Sequence, residues 1–190
     1  MKYNIKPKET KYNGRIYRSR LEARWAAYFD IVGWDFEYEP CQINGFNPDF
    51  LIKCFSDKYD CSFIIVEVKP QIMITNEYMQ ETYEKYKEHK AHILILSDFP
   101  FRKSISHDCL ISIGIGSQYD SKYRTEMIDF EMKCDNDFGS LYMAFDGMIY
   151  GKIERKQFLD IGHDADEIEG ILNNWKQAGN NVMFKYDTTG

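Results

Sequence analysis

The spacing of apolar residues changes several times along this chain, and each change marks an element. Leu21, Trp25, Tyr28, Phe29 and Val32 recur at helical spacing and make one apolar face. Ser19 stands where an N-cap belongs, and Glu22 three places on completes a Ser-x-x-Glu capping box. Gly33 falls at the position of a left-handed C-cap. The period then shortens to two. In "WDFEYEP", Trp34, Phe36 and Tyr38 alternate with Asp35, Glu37 and Glu39, which predicts a half-buried strand ended by Pro40. Asn44-Gly45 signals a turn, "FNPDFLIK" begins a strand just after Pro48, and "SDKYD" (56–60) reads as a hairpin connection. "FIIVEVK" follows as a strand, with Phe63, Ile64, Ile65 and Val66 expected to be buried on both faces.

Asn76 is expected to cap a polar helix whose Met79, Tyr83 and Tyr86 pack on a sheet, and "AHILILS" (91–97) is a further buried strand. Strand, helix and buried strand in that order suggest a right-handed crossover. Beyond residue 100 the pattern weakens. "CLISIGI", "TEMIDFEM" and "SLYMAFDGMIYGKI" read as short strands, the last a hairpin through Asp146-Gly147, before a final helix over about 164–177 ending near Ala178-Gly179-Asn180. The fold class expected is α/β or α+β, a central mixed sheet flanked by helices with a strand-rich C-terminal extension. The organisation expected is an arm over 1–14, a core over 15–100, and an acidic extension or small subdomain over 101–190.

Composition places the chain among globular proteins: 190 residues, 44% hydrophobic and 28% charged. No apolar run approaches the roughly 20 residues of a membrane span, and no apolar segment follows the basic start as in a signal peptide. Five scattered cysteines without Cys-x-x-Cys favour a reducing compartment over a disulfide framework. A cytoplasmic location is the expectation. The net charge of −6 is unevenly spread. Residues 1–24 carry eight Lys/Arg against two acids, whereas residues 120–170 carry 13 acids against six bases. The basic front suits a phosphate-binding patch that includes Lys11, Arg15, Arg18 and Arg20; a solvated surface explains the same charges.

The chemistry lies in "FIIVEVKP". Glu67 and Lys69 share one face of a strand and end an oily run, and burying charge is costly unless it is paired or bound to an ion. A plain buried ion pair is one explanation. The other adds Asp49 from the preceding strand. Two carboxylates and a backbone carbonyl such as that of Val68 make an all-oxygen site of the kind Mg²⁺ prefers. Lys69 would then stand beside an activated water and a phosphate. The four histidines (His89, His92, His107, His163) form no ligand pattern. Gln80 and Tyr83 are assigned to packing. Trp175 either packs the last helix or stacks on a base.

"YRSRLEARW", "GWDFEYEP", "NPDFLI" and "FIIVEVKP", in that order, resemble the PD-(D/E)xK nuclease superfamily over residues 15 to about 98. The likeness is to phage-type members, to endonuclease I-type Holliday-junction resolvases and to TnsA-like transposon endonucleases. The resemblance implies a restriction-endonuclease-like core and a Mg²⁺-dependent DNA endonuclease in which Mn²⁺ substitutes, encoded by a phage. It implies Glu22, Asp49, Glu67 and Lys69 as catalytic residues, with Asp49, Glu67, the Val68 carbonyl and Glu22 as metal ligands. Glu22 matches the family's helix acid, which helps position or bind metal; completing the capping box is its alternative role. Two other functions stay open. A structure-specific resolvase would need a homodimer. A non-catalytic binding or anti-defence protein on a nuclease scaffold would engage a protein partner through the acidic C-terminal half.

Overall fold

The computed structural model describes residues 7–40, 42, 45–53, 63–100, 102–103, 111–117, 119, 128–135, 138–143, 147–150 and 165–183. The expected 56–60 connection, Asn44 and Asp146 lie outside the described residues, as do His107 and His163.

Residues assigned to an arm begin the fold instead. β1 (Thr10–Tyr12) pairs antiparallel with β2 (Arg15–Tyr17). Asn13 and Gly14 both have positive φ, 46° and 82°. Two left-handed residues in a two-residue loop make the primed turn whose twist suits a hairpin, and Asn-Gly is its preferred sequence. Tyr12 and Tyr17 are buried, and the Tyr17 ring lies 4.5 Å from that of Tyr38.

α1 (Arg20–Val32) has the expected caps. Ser19 Oγ accepts the Glu22 backbone N–H at 3.1 Å, and Gly33 adopts φ 73°. Trp25, Tyr28 and Phe29 are fully buried, each contributing about 1.5–3 kcal/mol by removal from water. The indole of Trp25 donates to the Ser97 carbonyl at 2.7 Å, so its one polar atom is satisfied in the core.

The sheet follows. β3 (Phe36–Tyr38), β4 (Phe50–Lys53) and β5 (Phe63–Val68) run antiparallel in turn. α2 (Asn76–Tyr86) crosses to β6 (His92–Leu96), which is parallel to β5. β8 (Ile111–Ser117) lies antiparallel to β6 and also takes the two-residue β7 (Arg102–Lys103). These strands form a five-strand mixed sheet, β3-β4-β5-β6-β8. β9 (Ile128–Asp135), β10 (Phe138–Met143) and β11 (Gly147–Tyr150) continue it beyond β8. Among the described residues β5 and β6 are the one parallel pair, so the architecture is α+β rather than α/β.

α3 (Ala165–Met183) packs on α1, and both cover one sheet face. Ile64, Val66, Leu94, Trp175 and Ala178 belong to that core, whereas Ile65, Ile93 and Tyr86 form a smaller one under α2. No helix among the described residues is long and apolar enough to cross a membrane.

Three local expectations are corrected. Phe63 is 37% exposed, because it starts β5 at the end away from the core. Thr75, not Asn76, caps α2, its hydroxyl accepting the Tyr78 N–H at 3.2 Å. α3 runs past Gly179-Asn180, because Ala178 and Val182 continue its buried stripe.

Two glycines test this architecture in opposite directions. A Cβ on Gly114 would run into the Ile95 carbonyl where β8 pairs with β6, whereas one on Gly170 in α3 would meet nothing within 4 Å. Gly114→Ala is expected to destabilise by about 1–3 kcal/mol as an overpacked contact. Gly170→Ala is expected to stabilise by up to about 1 kcal/mol. Thermal unfolding by circular dichroism reads both, and a neutral Gly114→Ala would contradict the β6–β8 register.

Candidate active site

The register of β4 on β5 determines what meets at their ends. Phe50 pairs with Val66, so the next residues outward, Asp49 and Glu67, lie opposite each other. Alternation puts both on the α2 side of the sheet, with Leu51 and Ile65. Both are buried, Asp49 at 1% exposure. They form the floor of an open cleft of about 1200 Å³ whose walls include Arg18, Phe46, Tyr78 and Lys85.

Each carboxylate is held by specific donors. Glu67 Oε1 accepts from Lys85 Nζ at 2.7 Å and from the Tyr86 hydroxyl at 2.6 Å. Asp49 Oδ2 accepts the Val68 backbone N–H at 2.7 Å, and Asp49 Oδ1 accepts from Arg18 Nη2. Lys69 lies between the two acids. Its Nζ is 3.1 Å from the Val68 carbonyl, 3.4 Å from Asp49 Oδ2 and 3.5 Å from Glu67 Oε2.

Burial is the largest influence on Asp49 and pushes its carboxyl up to about 6. Lys69 and the Val68 N–H pull it down, while Glu67 and Glu22 push it up. Burial also works against the Glu67 charge, but the hydrogen bonds from Lys85 and Tyr86, with Lys69, outweigh it and hold Glu67 below its ordinary value. Burial likewise disfavours the Lys69 charge; Asp49, Tyr78 and Glu67 overcome it and raise the ammonium's pKa. Tyr78 is pushed up to about 12, first by burial and then by Glu67.

Glu22 lies on the far side of Arg18. Its carboxylate accepts the Ser19 hydroxyl at 2.8 Å and the Tyr38 hydroxyl at 2.6 Å. The Arg18 guanidinium touches Asp49, pairs with Glu39 at 2.7 Å and reaches Glu22 at 3.9 Å. Glu22 therefore borders the cleft but does not join Asp49 and Glu67. Among the described residues no three His, Cys, Asp or Glu side chains converge as a metal-ligand group.

A divalent cation fits the remaining donor set. Asp49 Oδ2, Glu67 Oε2 and the Val68 carbonyl all converge on one positive charge, and the charge filling that position is the protein's own Lys69 ammonium. Three oxygens arranged about a cation are hard ligands suited to Mg²⁺ or Mn²⁺. The Lys69 side chain is 29% exposed and has a path outward.

Of the basic residues expected on DNA, Lys11, Arg15 and Arg20 are exposed, whereas Arg18 belongs to the ion-pair network above. Lys85 and Tyr86, which orient Glu67, and Tyr38, which holds Glu22, were not singled out in the sequence. Tyr86 and Tyr38 showed only as apolar positions of their elements, and Lys85 as one charge on a polar helix. Gln80 does not pack; it is exposed and bonds Glu84 at 3.1 Å. Compared with family models, with curated proteins and with solved structures, the chain matches none.

The raised Asp49 pKa sets a pH dependence. With the folded value near 6 and the free value at 3.8, the folded state holds a proton that the unfolded state has lost between those limits. Asp49's contribution to stability is thus complete below about pH 4 and lost as pH rises through 6. In metal-free protein, Asp49→Asn is expected to remove this falling component. Unfolding midpoints of both proteins from pH 4 to 7 give the comparison; parallel curves would show that Asp49 keeps an ordinary pKa.

Proposed function

We propose that this chain is a metal-dependent DNA endonuclease of the PD-(D/E)xK type, of the phage-like branch, that hydrolyses phosphodiester bonds. One observation carries the reading: two buried carboxylates and a backbone carbonyl, from the ends of two neighbouring strands, gather around a lysine at the floor of an open cleft. A bound Mg²⁺ or Mn²⁺ would polarise a phosphoryl oxygen and supply an activated water.

The protein's residues do the rest. Asp49, Glu67 and the Val68 carbonyl would hold the cation. Lys85 and Tyr86 fix Glu67 through one oxygen and leave the other facing Lys69. Lys69 keeps its proton, since the neighbouring acids favour the ammonium. Moved off the three oxygens, it neutralises charge developing on the phosphate. Arg18, half exposed, spends its fork on Asp49 and Glu39 and so holds Asp49 in place beside the cleft. Glu22 acts at one remove, by keeping Tyr38 and Arg18 in place.

A second reading draws on the acidic side of the cleft, where Glu77, Glu81 and Glu84 of α2 stand beside the two buried acids. A non-catalytic protein on this scaffold would use such a wall to bind a basic partner.

Lys69→Ala separates the two. On the nuclease reading it is expected to lower plasmid nicking in Mn²⁺ about 10²–10³-fold. It should bind Mn²⁺ at least as tightly as wild type, because the competing ammonium is gone. Asp49→Asn should weaken both. Calorimetric titration with Mn²⁺ and a supercoiled-plasmid assay make the measurements. Nicking by Lys69→Ala at the wild-type rate would rule out this mechanism.

A further inference from the structure

A second cavity, of about 620 Å³, opens on another flank of α1, between its first turns and α3. Arg20, Arg24 and Lys176 line it, with Leu21, Leu172 and Trp175 as its apolar surface. We propose that this cavity binds the phosphate backbone of a nucleic-acid strand, with Arg20, Arg24 and Lys176 as its cations, an assignment that rests on the nuclease reading for its choice of ligand.

The position of Arg24 is constructed. Its guanidinium lies over the Trp175 ring at 3.9 Å and donates to the Trp175 carbonyl through Nη2 at 2.9 Å and Nε at 3.3 Å. The facing residue of α3 is Gly179, where a Cβ would stand only 3.1 Å from that guanidinium. A glycine inside a helix sacrifices about 1 kcal/mol relative to alanine. Here it leaves room for a cation rather than for packing.

The charges are unbalanced. Arg20 and Arg24 are four residues apart on α1 and so lie on one side of it, a destabilising arrangement for like charges. Burial and then Arg20 depress the Arg24 pKa. Among the described residues no carboxylate pairs with Arg20, Arg24 or Lys176. Asp98 also lines the cavity, and its Oδ1 accepts the Gln71 backbone N–H at 2.9 Å. Among the described residues three cations and one acid line the cavity, a positive site that an anion would stabilise. Guanidinium forks match phosphate oxygens, and Leu172, 42% exposed, adds an apolar surface beside them, while Trp175 is buried beneath Arg24.

The site also has the right neighbour. Arg18 and Glu22 line the active-site cleft, while Arg20, Leu21 and Arg24 line the second cavity. The first turn of α1 is the wall between them. A strand with one phosphate at Lys69 can continue across that turn and place another phosphate here.

The test uses a fluorescein-labelled duplex, full-length protein and EDTA, so that cleavage plays no part. Anisotropy titrations over a range of salt compare wild type with Arg20→Gln/Lys176→Gln. Both residues are exposed, so the fold should be retained, and the melting temperature checks this. Lys87→Gln/Lys90→Gln, with equal charge loss on the α2 side, is the control. The cavity variant is expected to bind several-fold more weakly, and its slope of log K against log salt to fall by about 1.8, roughly 0.9 for each lost contact. The control should keep the wild-type slope. A cavity-variant slope equal to wild type or to the control overturns the proposal, and so does absence of binding by wild type. Tight binding of inorganic phosphate with an unchanged DNA slope would also overturn it, by assigning the cavity to the free anion. Plasmid nicking in Mn²⁺ reports separately on the nuclease reading. A lost slope without nicking keeps this site and removes the enzyme; nicking with an unchanged slope does the reverse.

Discussion

Asp49 and Glu67 are buried opposite each other at the ends of neighbouring strands, and this arrangement needs countercharge. An uncompensated carboxylate in such a place costs several kcal/mol. The cations come from three different parts of the chain. Arg18 arrives from the β2–α1 junction, Lys69 follows β5 directly, and Lys85 reaches in from α2. Each of these elements is thus tied electrostatically to the same strand ends that its apolar residues help cover. The hairpin and helix on one side, and the crossover helix on the other, meet at this point.

The two acids do not share the countercharge equally. Glu67 has two close donors on a single oxygen, and these outweigh its burial. Asp49 has the Val68 N–H on one oxygen and Arg18 on the other, yet its burial, followed by the like charges of Glu67 and Glu22, raises its pKa against the pull of Lys69 and that N–H. The result is one carboxylate fixed in its ionised form and one that exchanges its proton near pH 6. Environments that push paired acids apart in this way are typical of sites that handle charge. Backbone strain appears in the same place. Glu39 adopts φ 45°, an unfavourable conformation for a residue with a full side chain, and its carboxylate reaches Arg18.

The central order of elements was legible because each one kept its own period. α1, β3, the strand after Pro48, β5, α2 and β6 all appear where the apolar spacing placed them. The meeting of Asp49, Glu67, Val68 and Lys69 followed from strand alternation plus a hairpin. What stayed hidden was of two kinds. The β1–β2 hairpin has strands of three residues, too short for alternation to show, although Asn13-Gly14 was a usable turn signal. The rest depends on tertiary contact. No spacing rule reveals that Arg18 faces carboxylates from residues 22, 39 and 49, or that Lys85 meets Glu67 rather than solvent. The C-terminal helix was placed too short because Gly179 reads as a terminator; its role opposite Arg24 needs α1 in position.

The balance of charge in the cleft bears on how a polyanion could approach it. Glu22, Asp49, Glu67, Glu77, Glu81 and Glu84 line it, against Arg18, Lys69 and Lys85. Each of those three cations is within 4 Å of an acid, so little positive potential remains for a phosphate. A duplex would be repelled by the cleft itself, and a divalent cation between Asp49 and Glu67 removes only part of that repulsion. On the nuclease reading, affinity for the backbone must therefore come from cations without acid partners, outside the cleft. Screening limits their reach to about 8–10 Å in ordinary salt, so they must lie near the reacting phosphate. Arg20 and Arg24, two and six residues after Arg18 at the start of α1, line the neighbouring cavity and have no carboxylate partner among the described residues. On that reading, a protein of net charge −6 with an acidic cleft floor would hold DNA by a small basic surface beside the cleft.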